Sequence, residues 1–297
     1  MHTLLLKPKP PYCFELSMRR MKRANDGMCR FEDGEFARTL RIGENIVLVR
    51  VRSTGTTEEP LLRADVVADG TVPLLSVIER RLARCLSVDV DLRSFYRHLK
   101  GDPALAGLAE RYYGLRLLIE PDPFECMIKT IIGQQLNLAF ADTLVRRLVS
   151  LASVPFVHEE RDYSVFPTAE QVARLSYDDL RKAQFSRRKA EYVIDFARAV
   201  ADGKVDLEQL SQWSDEEIIA RLTKIRGIGR WTAECFLLFG LGRQDLLPAA
   251  DIGLRNGLKR WLGLDAQPTE RDVRRMGAAW SPWASYITYY LWESLNG

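Results

Sequence analysis

A chain of 297 residues with 46% hydrophobic content and a net charge of +3 carries enough apolar material for a packed core, which excludes a disordered or low-complexity protein. No run approaches the roughly 18 apolar residues of a membrane span, and the apolar run in "MHTLLLKPKPPYC" is too short for a secretory signal, so a soluble cytoplasmic protein associated with the nucleoid is expected. Cysteines at 13, 29, 85, 126 and 235 form no close pair, which argues against a disulfide framework or a CxxC metal motif, and a pI near 8.6 permits a polyanionic partner without requiring one.

The first patterned segment runs from residue 36 to 69. "FARTLRI" and "NIVLVRV" alternate on either side of Gly43 and Glu44, which predicts a hairpin, and "LLRADVVADG" adds a third strand to a small antiparallel sheet. The period changes at Thr71 and Pro73, because "VPLLSVIERRLARCL" puts Leu74, Leu75, Ile78, Leu82 and Cys85 on one helical face. From there the chain reads as helix. Residues 123–152 carry Phe124, Ile128, Ile131 and Ile132, then Leu138, Ala141, Leu144, Val145 and Leu148 at helical spacing, so two helices should meet at "GQQLN". Capping boxes are expected from Thr168 to Gln171 and from Ser214 to Glu217, and "WSPWASYITYYLW" should open with Ser281 as cap and Pro282 at the first helical position. The fold class is therefore α+β, with an N-terminal domain over 1–115 and an all-helical part over 116–297.

"KIRGIGRWTAECF" raises the first question of function. Residues 214–222 predict one helix, 226–229 are too glycine-rich to continue it, and 231–239 are helical again. Gly227 and Gly229 permit unusual dihedrals and the close approach of another backbone, while the second helix starts with free N–H groups and a positive dipole end, an arrangement suited to a phosphate. Arg226 and Arg230 flank the turn and Thr232 follows it; alone, the motif reads equally well as an ordinary helix corner. Further on, "LLPAADIGLRNGL" sets Asp251 at the start of another helix, either as a plain N-cap or as a working carboxylate.

The stretch "LTKIRGIGRWTAECFLLFGLGRQDLLPAADIGL" resembles the helix-hairpin-helix signature of the DNA glycosylase superfamily, here over residues 214–240, followed by a Gly/Pro-rich loop and an aspartate. "IIGQQLNLAFA", "FPTAEQVARL" with "FSRRKAEYVIDFA", and "WSPWASYITYYLW" agree in order, so the resemblance covers about residues 120–295 and is closest to the alkylbase (3-methyladenine type II) glycosylases. It implies a mainly helical core, double-stranded DNA containing damaged bases as partner, and action as a monomer. Asp251 would be the anion beside C1′ of a flipped nucleotide, Trp231 and Trp292 would line the base pocket, and Gln135, with Leu136 as neighbour, would enter the duplex, unless the glutamines only cap a helix end. Cys235 and Ile252 stand where some members carry pocket tyrosines. Trp231 stands where bifunctional members carry a Schiff-base lysine, which implies a monofunctional enzyme.

DNA phosphates would meet the N–H groups of Gly227, Gly229 and the turn through Thr232, helped by Arg226 and Arg230. Arg187, Arg188 and Lys189 form a second basic group that serves either DNA or a solvated helix end. No iron–sulfur cluster is expected, since the last cysteine is Cys235, and no catalytic metal; the resemblance does imply a structural Na⁺ or K⁺ held by the carbonyls of Thr223, Ile225 and Gly227. The rival readings are a glycosylase of this fold for another lesion and a DNA-binding module without catalysis.

Overall fold

The computed structural model describes residues 2–68 and 74–296. Alternating apolar residues build an N-terminal antiparallel sheet of five strands: β1 (His2–Leu6), β2 (Cys29–Glu32), β3 (Glu35–Ile42), β4 (Asn45–Ser53) and β5 (Leu62–Ala68), in the order β1-β5-β4-β3-β2. Ile42 pairs with Asn45 across the expected two-residue turn, where Gly43 has φ +60°. One face of the sheet packs Val47, Val49, Val51, Ala64 and Val66 against Phe14, Met18 and Met21 of α1 (Phe14–Arg23) and Ile78 and Leu82 of α2 (Leu75–Cys85).

A second, larger core is helical. It is built by α3 (Arg93–Lys100), α4 (Ala106–Arg111), α5 (Pro123–Gly133) and α6 (Leu138–Ala152), then, beyond a small hairpin of β6 (Phe156–His158) and β7 (Arg161–Tyr163), by α7 (Ala169–Ala173), α8 (Tyr177–Lys182) and α9 (Arg187–Ala201). The chain ends with α10 (Asp215–Leu222), α11 (Arg230–Phe239), α12 (Ile252–Leu262), α13 (Glu270–Gly277) and α14 (Ala284–Ser294). Although α3 and α4 precede residue 115, Phe95, Leu99 and Leu108 pack with this helical core.

Ionic contacts join the two parts. Arg38 of β3 donates through Nη2 to both oxygens of Glu125 at 2.9 Å, and Lys129 lies 2.7 Å from Asp26 and 3.0 Å from Glu120. Arg23 at the end of α1 pairs with the buried Glu293 of α14. No helix among the described residues is long and apolar enough to cross a membrane.

Both expected capping boxes form, at Thr168–Gln171 and Ser214–Glu217, and α5 and α6 meet at the expected loop. Other expectations need correction. The last helix starts at Ala284: the Ser281 hydroxyl donates instead to Asp245 (2.5 Å), and Trp283 occupies the N-cap with no side-chain cap bond. Leu74 and Leu138, placed on core faces by spacing, are 75% and 83% exposed, because each stands at or next to a helix N-cap, where the chain has not yet turned inward. The strand β1 and helix α1 were not expected from pattern, and the change of period at Thr71 and Pro73 falls outside the described residues.

Candidate active site

Two glycines one helical turn apart bring α12 against α14. A Cβ on Gly257 would stand 2.7 Å from the Leu291 carbonyl, and one on Gly253 would stand 3.0 Å from both Asp251 Oδ1 and Trp292 Nε1. That close approach sets the geometry of Asp251, the N-cap of α12. Its Oδ1 accepts from the Leu254 backbone N–H (2.6 Å) and from Trp292 Nε1 (2.8 Å), while Oδ2 accepts from Trp231 Nε1 (2.8 Å). A carboxylate offers roughly four acceptor sites, so these donors orient the group and leave Oδ2 with a free lone pair. Asp251 is half-buried, as are both tryptophans. The two indoles expected around a base thus also steady the carboxylate.

Beyond Trp292 lies more aromatic surface. Phe239 stacks on Trp292 with centroids 5.7 Å apart and planes at 19°, and the Arg20 guanidinium of α1 stands 3.6 Å over the Phe239 ring. Cys235 is buried nearby; burial first, and then the Asp251 charge, push its thiol well above the usual range. Ile252, by contrast, is 65% exposed.

The hairpin precedes this cluster. Gly227 has φ +89°, and a Cβ there would come within 2.3 Å of the Tyr192 ring, so both backbone and space demand glycine. Gly229 differs from expectation: its φ of −94° is ordinary, and it N-caps α11 with no capping side chain. A Cβ on it would meet open space, so the absent side chain leaves the first-turn N–H groups of α11 accessible. Neither hairpin arginine is idle. Arg226 pairs with Glu191 (2.6 Å), which also holds Arg187 (3.0 Å), and Arg230 bridges Glu234 (2.9 Å) and Glu216 (3.0 Å). The Arg226–Glu191 and Arg230–Glu216 pairs reach solvent and are worth about 0–1 kcal/mol, so an incoming phosphate can displace them, whereas Glu234 is buried and keeps its hold on Arg230.

The loop between α5 and α6 is tied to the hairpin by Gln134, whose Nε2 donates to the Gly227 carbonyl and to Thr232 Oγ1, both at 2.8 Å. Thr232 is consequently buried, and only its backbone N–H remains for a phosphate. Lys189 turns inward and donates to the carbonyls of Ile131 (3.1 Å), Ile132 (2.7 Å) and Gln134 (3.0 Å), closing the C-terminus of α5. Burial draws its ammonium down to about 8. Of the two loop residues expected to enter DNA, Gln135 is exposed with φ +55°, whereas Leu136 is half-buried against the core.

Comparison with known proteins decides the family. Residues 128–282 match the model of the HhH-GPD superfamily of base excision DNA repair proteins, and residues 3–118 match the AlkA N-terminal domain. The chain belongs to the HhH-GPD superfamily. It is 36% identical to the DNA-3-methyladenine glycosylase of Bacillus subtilis over 70% of this chain and 69% of that one. Among solved structures it is similar to the 3-methyladenine DNA glycosylase of Archaeoglobus fulgidus, with TM-score 0.85 and 26% identity over 99% and 98% of the two chains. It is also similar to the 3-methyladenine DNA glycosylase of Schizosaccharomyces pombe in complex with abasic DNA (TM-score 0.59, 31% identity, 67% of this chain and 95% of that one).

Within this HhH-GPD chain, sequence reading missed Phe239, Gly253 and Gly257, and it named Gln134 and Lys189 without their partners in the hairpin and at the end of α5. The glycines had a signal, the small–xxx–small spacing of close helix packing. The carbonyls named for a monovalent cation fit such an ion: Ile225 O accepts from Ile228 N (3.1 Å) and Gly227 O from Gln134, so each keeps one lone pair, and Thr223 is the C-cap of α10.

Proposed function

We propose that the chain is a monofunctional DNA glycosylase that extrudes an alkylated purine of the 3-methyladenine type from double-stranded DNA and hydrolyses its N-glycosidic bond. It works as a monomer on DNA in the cytoplasm. The observation that carries this reading is Asp251, aimed by Trp231, Trp292 and the α12 backbone with one lone pair of Oδ2 left free. In the reaction the bond from C1′ to the base breaks with its electron pair leaving on the base, and water adds to C1′. Positive charge builds on the sugar as this happens, and a fixed anion beside it lowers the barrier. A purine that carries positive charge in its ring leaves without needing a separate acid.

The α11 N-terminus and the open Gly229 bind a DNA phosphate, and the carbonyls of Thr223, Ile225 and Gly227 would hold a monovalent cation that would offset the phosphate charge. Gln135 occupies the space the base vacates. Trp231 cannot form an imine, so the product is an abasic site and an unbroken strand. The test is release of free base from alkylated duplex DNA by the wild type and by Asp251→Asn, with strand nicks scored before and after alkali. Release by the wild type, nicks only after alkali, and an inactive variant that still binds DNA are expected. An Asp251→Asn protein as active as wild type would overturn the proposal, and binding without release by either protein favours the non-catalytic module.

A further inference from the structure

Helix α6 leaves the loop that carries Gln135, and its solvent side is apolar at the start and cationic further on. In the first turn Leu138 and Phe140 are exposed, and because Cα–Cβ bonds on a helix tilt toward its N-terminus, both lean back over the loop. Phe140, Thr143, Arg147 and Leu151 follow one another at helical spacing, so the ring opens a stripe that runs along α6 into a shallow groove of about 440 Å³ between this helix and Ala183, with Arg146 on its border. Arg147 is fixed there by neutral acceptors, the Ala183 carbonyl (3.1 Å) and Oε1 of Gln184, a residue with φ +70°. Arg146 donates to Thr143 Oγ1 (3.3 Å). Among the described residues neither guanidinium is in ion-pair contact with a carboxylate, whereas Arg187, Arg226 and Arg230 on the hairpin side all are. A cation held by dipoles keeps an attraction for phosphate that a carboxylate partner would cancel.

The order of the elements selects the strand. Helix α5 packs against both α11 and α6 and so lies between them. Asp251 and the hairpin take the damaged strand on the α11 side, Gln134 bonds across to the hairpin, and Gln135 fills the vacated gap from the next position. The strand past that gap is the undamaged one, on the side of α6. We propose that this face of α6 grips the undamaged strand, with Phe140 against the base that faced the lesion and Arg147 and Arg146 on that strand's phosphates. This rests on the glycosylase reading and extends it to the second strand. Stacking on an aromatic ring is tolerant of sequence, so Phe140 braces whichever base stands there.

The experiment measures binding of wild type, Phe140→Ala and Arg147→Gln to a duplex holding a tetrahydrofuran abasic analogue. The opposite strand is used in three forms: natural, lacking the base that faces the analogue, and with methylphosphonates at the phosphates within four nucleotides of that base. On the natural duplex Phe140→Ala should bind about tenfold more weakly. Arg147→Gln should lower the slope of log affinity against log salt by about one. Removing the facing base should erase the Phe140 loss and leave the arginine loss, and the neutral phosphates should do the reverse. A folding defect would weaken all three complexes alike, so crossing variant with strand separates contact from structure, and Arg146→Gln, which gives up one bond to Thr143, repeats the arginine arm with less risk to the fold. Losses equal on all three duplexes overturn the proposal. So do losses that vanish only when methylphosphonates are placed in the damaged strand. Both outcomes leave the glycosylase reading standing, whereas a wild type that binds none of the duplexes and releases no damaged base sinks that reading and this inference together.

Discussion

At the seam between sheet and helices three carboxylates, Asp26, Glu120 and Glu125, face two cations, Arg38 and Lys129, whereas at the head of α12 the single carboxylate of Asp251 meets only neutral N–H donors. The seam groups are almost entirely buried apart from Lys129, and their charges are spent on one another. Asp251 is half-buried, and among the described residues no cation is in ion-pair contact with it. Dipolar donors hold a carboxylate in place without cancelling its charge, while a guanidinium cancels it. The contrast separates an acid that holds domains together from one kept available for a positive charge that arises only during a reaction.

Removing the cation on the seam side should have the largest effect. Arg38→Met leaves Glu120 and Glu125 buried with Lys129 alone, and the expected loss of stability is about 3–5 kcal/mol, read by chemical denaturation. The folded fraction should still release base at the wild-type rate; a proportional fall in rate would show that the two carboxylate sites are not independent. On the other side, Asp251→Asn keeps the shape of the site and removes its charge. Base release should drop by about 10²–10³-fold with DNA affinity retained and the melting temperature little changed.

Acid should also divide the two sites. Although burial pushes the Asp26 carboxyl up, contact with Lys129 prevails and holds it at about 2, below its ordinary 3.8. A carboxyl depressed in this way contributes stability that is fully present above its unfolded pKa and is lost as pH falls through the folded one. For Asp26 that contribution is about 2 kcal/mol. Wild type should therefore be more stable than Asp26→Asn from pH 7 down to about pH 4, with the gap closing near pH 2. Glu125 acts oppositely, since burial outweighs Arg38 and Lys129 and raises its carboxyl, so the comparison must be made against the Asp26 variant rather than read from wild type alone. A constant gap across that range would mean that Lys129 does not hold Asp26 charged.

Much of this is legible in the sequence. Period-2 and period-3.6 patterns located the β3–β4 hairpin and the long helices, and caps such as Ser214 and Thr168 marked helix starts, because these signals are local. The four ordered motifs led to the superfamily and to Asp251 as an N-cap. What stayed hidden depends on partners distant in sequence. The spacing of Trp292 cannot tell that its indole N–H turns to Asp251 41 residues upstream, nor that Lys189 leaves solvent for the end of α5. Gly229 looked like a conformational glycine, yet it matters as an open surface, a property that no dihedral preference encodes.

The smallest of these effects concerns the donors around Asp251. Trp292→Phe keeps an aromatic face for Phe239 and deletes the bond to Oδ1, leaving that oxygen with the Leu254 N–H alone. One neutral hydrogen bond is worth about 1 kcal/mol, so kcat should fall roughly fivefold, with KM for alkylated DNA rising only as far as the lost indole edge weakens base stacking. Gly253 sharpens the reasoning, since its missing Cβ lets Trp292 Nε1 and Asp251 Oδ1 meet, and an indole that served only as a wall would need no such gap. An unchanged kcat in Trp292→Phe would reduce Asp251 to an N-cap beside a wall of aromatics, and the contrast with the seam would then rest on charge balance alone.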